Sequence, residues 1–250
     1  MNYRLTIQYD GTEFHGWQMQ PGRRTVQGEL TRSLSVLEGR EVLLHGAGRT
    51  DAGVHAVAQE ASVQLEGEFA RERLCQAVNW HLPVDVRVVR AEVVPDNFHA
   101  RFDARGKTYL YRIFNERFAS PFWSRYAHQE ARPVNLEKMK ACAALFLGEH
   151  DWTAFSSAQS DVKSRVRRLT ELEVREDWSE RGQGRLISFS VSADGFLRYM
   201  VRTIAGTLLA VGRGELDDED VRRMIETGER PRAAVTAQPC GLTLMRVHYD

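Results

Sequence analysis

An arginine and an aspartate lie two residues apart in the glycine-bracketed stretch Gly46-Ala47-Gly48-Arg49-Thr50-Asp51-Ala52-Gly53-Val54-His55. Glycine permits backbone angles and close approaches that other residues cannot adopt, so a carboxylate here can reach a substrate that the backbone also touches. We expect Arg49 to favour the ionised form of Asp51, because an opposite charge within a few ångströms stabilises a carboxylate. An ionised carboxylate is suited to act as a nucleophile, a base or an electrostatic stabiliser.

The same stretch has a simpler interpretation, because an acid among glycines is also typical of a turn between two strands. Spacing alone leaves a catalytic loop and a plain turn open. Two nucleotide-binding patterns are excluded. The third glycine of G-x-G-x-x-G would fall at Asp51, and no stretch of the chain completes the phosphate-loop pattern.

Composition limits the class of protein. A chain of 250 residues forms one large domain or two small ones, and either buries a substantial core. Cys75, Cys142 and Cys240 are scattered and form no C-x-x-C pair, so neither a zinc site nor a disulfide framework is indicated. No apolar run is long enough for a membrane span, and the start Met1-Asn2-Tyr3-Arg4 leads directly into strand-like sequence without a signal peptide. We therefore expect a cytoplasmic protein.

The formal net charge is zero, which argues against a generally basic nucleic-acid binder. The basic residues are nevertheless grouped into three clusters: Arg23 and Arg24; Arg101, Arg105, Lys107 and Arg112; and Lys163, Arg165, Arg167 and Arg168. Each cluster alone is typical of a solvated face. A neutral protein with one basic face can also bind a polyanion, so both interpretations stay open.

Periodicity predicts the order β-α-β-β-α-β for the first half of the chain. Residues 3–9 alternate in the manner of a half-buried strand, and Thr25 can cap the helix that follows the polar loop 10–24. A short strand over 42–45 and another over 57–65 flank Asp51. The aspartate is therefore expected on a connection that is held from both ends. A helix over 70–82 and a β-branched strand over 84–94 complete this half.

Pro95-Asp96-Asn97 breaks the pattern and is a candidate boundary. The segment that follows it is assigned to the first half, so the predicted domains are 1–103 and 104–250. The second half is predicted to contain a strand (107–114), an aromatic loop (115–134), a helix from 136, two strands (164–175 and 185–193) joined by the hairpin Arg181-Gly182-Gln183-Gly184, an apolar helix (196–211), a helix (218–227) and a strand (242–249). Arg198 and Arg202 would share one face of the apolar helix. The order of elements indicates an α+β protein with two halves, 1–103 and 104–250.

The stretch around Asp51 resembles the signature of the TruA-like family of tRNA pseudouridine synthases. Further blocks of that family follow in its order: Tyr9-Asp10-Gly11, Gly16-Trp17-Gln18, Thr25-Val26-Gln27, Phe98-His99-Ala100-Arg101-Phe102, Lys107-Thr108-Tyr109-Leu110-Tyr111, Phe196-Leu197-Arg198-Tyr199-Met200-Val201-Arg202 and Gly241-Leu242-Thr243-Leu244. The resemblance covers nearly the whole chain. Its departures are small: Trp152 stands where the family often has phenylalanine, and Ala237-Gln238-Pro239-Cys240 is a looser form of a proline-rich block.

The resemblance implies a fold and a reaction. It implies two ferredoxin-like α+β subdomains that form a mixed, mainly antiparallel central sheet, with a basic cleft for tRNA and with the Asp51 loop in the first subdomain. It also implies isomerisation of uridine to pseudouridine at positions 38–40 of the anticodon stem-loop by a homodimer. That reaction needs no redox partner, metal or cofactor, and we expect none; nor do we expect a membrane association.

The resemblance also implies the site residues. Asp51 is the expected catalytic carboxylate, and Arg49 is expected to fill the space left by a flipped base or to pair with Asp51. Tyr109 is the expected stacking residue, although Tyr111 lies on the same face of the strand and alternation cannot separate the two. Arg202 is expected to keep the catalytic carboxylate ionised, and a structural ion pair would be chemically almost the same.

Other residues of the family blocks have structural interpretations. His55 and His99 are each expected to be hydrogen-bonded structural residues, and Trp17 either contacts RNA or packs. Two further functions stay open. One is a tRNA-binding or RNA-folding protein with an idle catalytic loop. The other is a glycoside hydrolase, which usually needs two carboxylates about 5–10 Å apart; Glu60 would be the second.

Overall fold

The chain divides into two units in a computed structural model that describes residues 1–159, 162–180 and 184–250. Unit 1 comprises residues 1–105 and 244–250, and unit 2 comprises residues 106–243. The boundary placed at 103/104 from sequence stays a prediction about the subdomains. Residues 181–183 of the predicted hairpin lie outside the described residues.

Unit 1 has the order β-α-β-β-α-β. Its elements are β1 (Asn2–Tyr9), α1 (Val26–Glu38), β2 (Leu44–Gly46), β3 (His55–Gln64), α2 (Arg71–His81) and β4 (Val86–Val94). The strands pair antiparallel in the order β4-β1-β3-β2. Thr25 caps α1 by accepting a hydrogen bond from the amide of Gly28, at 3.2 Å.

The core of unit 1 follows from the alternation of β1. Tyr3, Leu5 and Ile7 are fully buried, and the intervening polar side chains lie on the opposite face of the strand. Both helices turn an apolar stripe inward, and Ser33 of α1 donates a hydrogen bond to the carbonyl of Val78 in α2, at 2.7 Å. The alternation predicted for β1 and the buried face of that strand therefore agree.

Unit 2 is also α+β. It contains β5 (Gly106–Asn115), β6 (His128–Glu130), α3 (Leu136–Ala143), β7 (Gly148–Asp151), β8 (Val166–Glu180), β9 (Gly184–Ala193), α4 (Met200–Gly212) and α5 (Asp218–Thr227). Strands β5, β9, β8 and β7 pair antiparallel in that order, and β6 pairs parallel to β5. A last strand, β10 (Leu242–His248), passes from unit 2 into the closing segment of unit 1.

The predicted class, α+β with mainly antiparallel strands, is confirmed. Two short strands, β6 and β7, fall where the sequence predicted no strand, because neither stretch contains alternating apolar residues. The apolar helix begins at Met200 and not at residue 196, because Tyr199 adopts a left-handed conformation with φ of 69°. Among the described residues, no helix combines the length and the apolar character that a bilayer span requires.

Candidate active site

Asp51 lies on the connection between β2 and β3, as the sequence predicts, and the start of β3 closes that connection. The amide of Ala47 donates to the carbonyl of Glu60 at 2.7 Å, and Nε2 of Gln59 donates to the carbonyl of Gly48 at 3.1 Å. Within the connection the amide of Val54 donates to the carbonyl of Asp51 at 3.2 Å. The backbone of Asp51 is therefore fixed at both ends of a tight turn.

A second segment, residues 14–17, braces the same turn. The amide of Trp17 donates to the carbonyl of Thr50 at 3.1 Å, and the amide of Gly53 donates to the carbonyl of Phe14 at 3.3 Å. Between them Gly16 has a φ of +85°, and a Cβ on it would lie 2.5 Å from the Thr50 carbonyl oxygen and 3.2 Å from the carbonyl carbon of Asp51. Only glycine fits this left-handed position and this approach.

Two aromatic residues lie under the turn. The phenol of Tyr9 shares a hydrogen bond of 2.8 Å with the hydroxyl of Thr50. Burial raises the pKa of Tyr9 to about 12, so the phenol stays protonated near neutral pH. Trp17 is buried, and its ring lies where a side chain at Gly46 would be. Of its two expected roles, Trp17 therefore has the packing role.

His55 is a buried structural residue of unit 1. Its Nδ1 accepts a hydrogen bond from the amide of Gly11 at 3.0 Å, and a carboxylate oxygen of Asp10 lies 3.2 Å from the same nitrogen. Gly11 in turn has no room for a side chain, because the carbonyl of Val54 occupies that position. The imidazole thus joins the first family block to the end of the Asp51 turn.

Arg49 and Asp51 differ in exposure. The side chain of Arg49 is exposed, and Asp51 is half-buried. The Nε of Arg49 donates to Oε1 of Gln18 at 3.1 Å, and Gln18 itself donates to Gln27 at 2.8 Å. An exposed guanidinium that donates to a neighbouring side chain is able to leave that partner for another. Its predicted roles beside Asp51 stay predictions.

Tyr109 and Tyr111 lie on β5 of unit 2, and both are buried, with 7% and 0% of their surface exposed. Tyr111 is fully buried, its hydroxyl donates to the carbonyl of Gln238 at 2.8 Å, and its ring stacks on Phe189 with centroids 6.2 Å apart. Tyr111 is thus a core residue, and burial raises its pKa. Tyr109 meets the edge of Phe196 at 5.0 Å between centroids. The assignment of substrate stacking to Tyr109 stays a prediction.

Arg202 is the one residue of α4 that is not buried. Its Nε donates to the carbonyl of Ala237 at 2.8 Å, and the amide of Ala237 donates to the carbonyl of Arg202 at 3.0 Å. The guanidinium carbons of Arg198 and Arg202 lie 4.7 and 5.2 Å from the ring centroid of Tyr199. Both arginines therefore contact the same aromatic ring. The prediction that they share one face of the helix was wrong, because Arg198 precedes the helix.

Tyr199 is a residue of this arrangement that the sequence analysis did not single out. It has the only positive φ among the described residues other than glycine, and a bulky residue in that conformation is strained. Its hydroxyl accepts a hydrogen bond from Arg198 at 2.9 Å. A periodic sequence pattern cannot reveal a residue with left-handed backbone. The position of Tyr199 within a family block was the one feature of the sequence that pointed to it.

The basic clusters divide into structural and exposed members. Arg24 makes a bidentate pair with Asp85 at 2.7 and 2.8 Å and lies over the ring of Phe14, whereas the neighbouring Arg23 is exposed. In the cluster 163–168, Lys163 and Arg168 are exposed. Phosphate contacts are therefore open to only some of the basic residues.

Two acidic features are explained by the fold. Asp217 and Asp220 form the capping box at the start of α5. Glu60 is buried on β3, accepts a hydrogen bond from Thr6 at 2.8 Å and lies 3.8 Å from Nε of Arg4. Burial raises the pKa of Glu60 to about 7. In the part of the chain that the structure describes, no three potential ligands are grouped as a metal site.

Comparison with known proteins identifies the family. A family model described as tRNA pseudouridine synthase matches residues 5–103 and 142–250. A tRNA pseudouridine synthase A 2 of Bacillus cereus is 40% identical over 249 residues, with 99% of each chain covered. A tRNA pseudouridine synthase A of Acetivibrio thermocellus is 39% identical over 249 residues, again with 99% of each chain covered. The chain belongs to the tRNA pseudouridine synthase family. Pseudouridine synthases are isomerases, and so is this protein.

Proposed function

We propose that this isomerase converts uridine to pseudouridine at positions 38–40 of the tRNA anticodon stem-loop, with Asp51 as the catalytic carboxylate. The observation that carries the proposal is the turn around Asp51. It is braced by β3 and by residues 14–17, and it leaves the carboxylate half-buried. Relatives that share 39–40% of their residues over almost the whole length are named tRNA pseudouridine synthase A, which supports tRNA as the substrate.

The reaction is a rearrangement within one nucleotide. The C1′–N1 bond breaks, the uracil turns, and a C1′–C5 bond forms, while C5 loses a proton to solvent and N1 gains one. A carboxylate beside the nucleotide acts on the sugar or the base, and Asp51 has this role. The target base must leave its stack, at a cost of a few kcal/mol.

The remaining predicted residues bind the substrate. The exposed side chain of Arg49 occupies the space that the flipped base vacates, for which it exchanges its hydrogen bond with Gln18. Tyr109 stacks on the flipped uracil, because aromatic rings are the usual support for an unstacked base. Arg202 lies beside the bound substrate, where its charge keeps the catalytic carboxylate ionised. We further propose that the enzyme acts in the cytoplasm as a homodimer.

The test is tritium release from tRNA labelled at uracil C5. C5 loses its hydrogen only if the base is rearranged or attacked there, so wild type should release tritium and Asp51→Asn should not. Glu60→Gln is the matched carboxylate control and should remain active, although it would be inactive in a glycoside hydrolase with two carboxylates. Equal release by wild type and Asp51→Asn would refute the assignment of Asp51.

Mapping of the modified positions then tests the substrate site. Modification confined to 38–40 supports the proposal, and modification elsewhere on the tRNA contradicts the anticodon assignment. Absence of release from any tRNA, with binding intact, would leave an RNA-binding protein. Sedimentation of the wild-type enzyme tests the homodimer, for which a particle of twice the mass of one chain is expected.

A further inference from the structure

The segment 98–103, which includes one family block, has no part in the proposed reaction. Three side chains fix it to unit 1. Nδ2 of Asn2 donates to the carbonyl of Phe98 at 2.9 Å, and Oγ of Ser62 accepts from the amide of Ala100 at 3.1 Å. The hydroxyl of Tyr249 donates to the carbonyl of Ala100 at 2.8 Å. The backbone of this segment is therefore held rigidly on the sheet.

The segment also organises itself around His99. The amides of Phe102 and Asp103 both donate to the His99 carbonyl at 3.1 Å. The Asp103 carboxylate accepts from the His99 amide at 2.7 Å, and Nδ1 of His99 accepts from the amide of Arg101 at 3.1 Å. These bonds explain the conformation of the turn. They do not explain why the turn holds an aromatic ring at the surface, where Phe102 keeps 75% of its surface exposed.

The exposed ring is the outer member of a stack. The ring centroids of His45 and His99 lie 4.7 Å apart, and those of His99 and Phe102 lie 4.4 Å apart, with tilts of 37° and 38°. The guanidinium carbon of Arg101 lies 5.8 Å from the Phe102 centroid. The stack starts from β2, where His45 is followed by Gly46 and the connection that carries Asp51. The aromatic rings and the positive charge of Arg101 are thus connected, through His45, to the turn that carries Asp51.

We propose that the His45–His99–Phe102 stack binds an unpaired base of the RNA substrate, with Arg101 contacting the adjacent phosphate. This inference rests on the proposed function and names a second contact for the same substrate. Single-stranded RNA is usually recognised by aromatic rings that stack on its bases, beside basic side chains that follow its backbone. The stack supplies both groups, on a backbone that is already ordered before binding.

A protein partner fits this surface less well. A stable protein interface buries about 800 Å² on each partner and centres on a packed apolar patch. Here a single exposed ring is flanked by a guanidinium and two imidazoles. Desolvation and the nearby His99 lower the pKa of His45, which favours the neutral ring that stacks on an aromatic neighbour. Flat rings with one cation suit a base and its phosphate.

The test compares three variants of the full chain: Phe102→Ala, Phe102→Tyr and Trp80→Ala. Trp80 of α2 is 86% exposed and serves as the matched control for loss of an exposed ring. Phe102→Ala should weaken tRNA binding roughly ten-fold, because one base–aromatic stack contributes about that factor. Phe102→Tyr and Trp80→Ala should bind within about two-fold of wild type. Thermal unfolding checks that each variant is folded.

A salt titration separates the stack from its cation. Phe102→Ala should leave the dependence of log Kd on log salt unchanged, whereas Arg101→Gln should reduce its slope by about one. Base-analogue fluorescence with 2-aminopurine, moved along the anticodon arm, should show quenching at one unpaired position that Phe102→Ala abolishes.

Two results would overturn the proposal. The first is wild-type affinity in Phe102→Ala, and the second is an equal loss of affinity in Trp80→Ala. If the first is accompanied by a change of sedimentation in Phe102→Ala, the surface is a protein interface instead. Failure of the proposed reaction is recognised separately, because tritium release by wild type does not depend on any of these variants.

Discussion

Gly16 offers a test of whether the backbone of Asp51 must stay where the structure places it. Its φ of +85° is unfavourable for any other residue, and alanine would place its Cβ 2.5 Å from the carbonyl oxygen of Thr50. Real Cβ contacts essentially never fall below 3.0 Å. The Thr50–Asp51 peptide must therefore retreat by about 0.5 Å or more, while the turn beyond it is held by β3.

Two effects of Gly16→Ala can be separated by magnitude. The left-handed backbone alone costs alanine roughly 1–2 kcal/mol. Gly22 carries the same cost without the contact, because its φ is +67° and a Cβ on it would meet nothing within 4 Å. Gly22→Ala should therefore lower Tm by a few degrees and leave kcat unchanged. In Gly16→Ala, a displaced carboxylate should lower kcat a further ten- to hundred-fold, since a misplacement of about 1 Å can cost about 100-fold.

The measurement is single-turnover tritium release by both variants, at a temperature well below either Tm, with thermal unfolding in parallel. Saturating enzyme removes differences in tRNA affinity from the comparison. If Gly16→Ala and Gly22→Ala react at the same rate, the position of the Asp51 backbone does not limit the reaction. The argument that residues 14–17 position the carboxylate would then be wrong.

Four further predictions concern charged residues and the groups that hold them. Because the folded-state pKa of Glu60, about 7, exceeds its ordinary 4.5, wild type loses stability as pH rises between these values. Glu60→Gln should gain stability over wild type by up to about 3 kcal/mol from pH 5 to 8, and a difference independent of pH in urea unfolding would contradict this. Tyr199→Phe should retain activity, whereas Tyr199→Leu should lower kcat/KM about two- to five-fold by releasing Arg202 from the ring; equal rates would leave the ring without a positioning role. Raising salt from about 50 to 200 mM should weaken tRNA binding, and Lys163→Gln should reduce the log–log slope by about one. Arg24→Gln should lower Tm instead, because Arg24 is paired with Asp85. An affinity of wild type that does not change with salt would contradict the proposed phosphate contacts.

The fold of unit 1 was predictable because each element there buries one face. The alternation of β1 and the apolar stripes of the helices report that burial directly, and the turn residues between them mark the ends. The same reasoning placed Asp51 on a connection between two strands. It failed at Tyr199, because helical spacing continues through residues 196–199 although the backbone at Tyr199 is left-handed.

Partners that arrive from distant parts of the chain were beyond the reach of sequence patterns. Arg23 and Arg24 looked like one basic cluster, and only the pairing of Arg24 with Asp85, 61 residues away, separates them. His99 was expected to be a structural histidine, which its hydrogen bonds bear out. Its stacking between His45 and Phe102 depends on how the segment 98–103 is folded onto the sheet.

The choice between Tyr109 and Tyr111 shows the limit most clearly. Alternation places both on one face of β5, since residues two apart on a strand point the same way. Whether such a ring is a core residue or a binding surface depends on what covers it. The carbonyl of Gln238, 127 residues away, accepts the hydrogen bond of Tyr111 and commits that ring to the core. A strand pattern specifies which face a side chain occupies, but the packing of later segments decides its function.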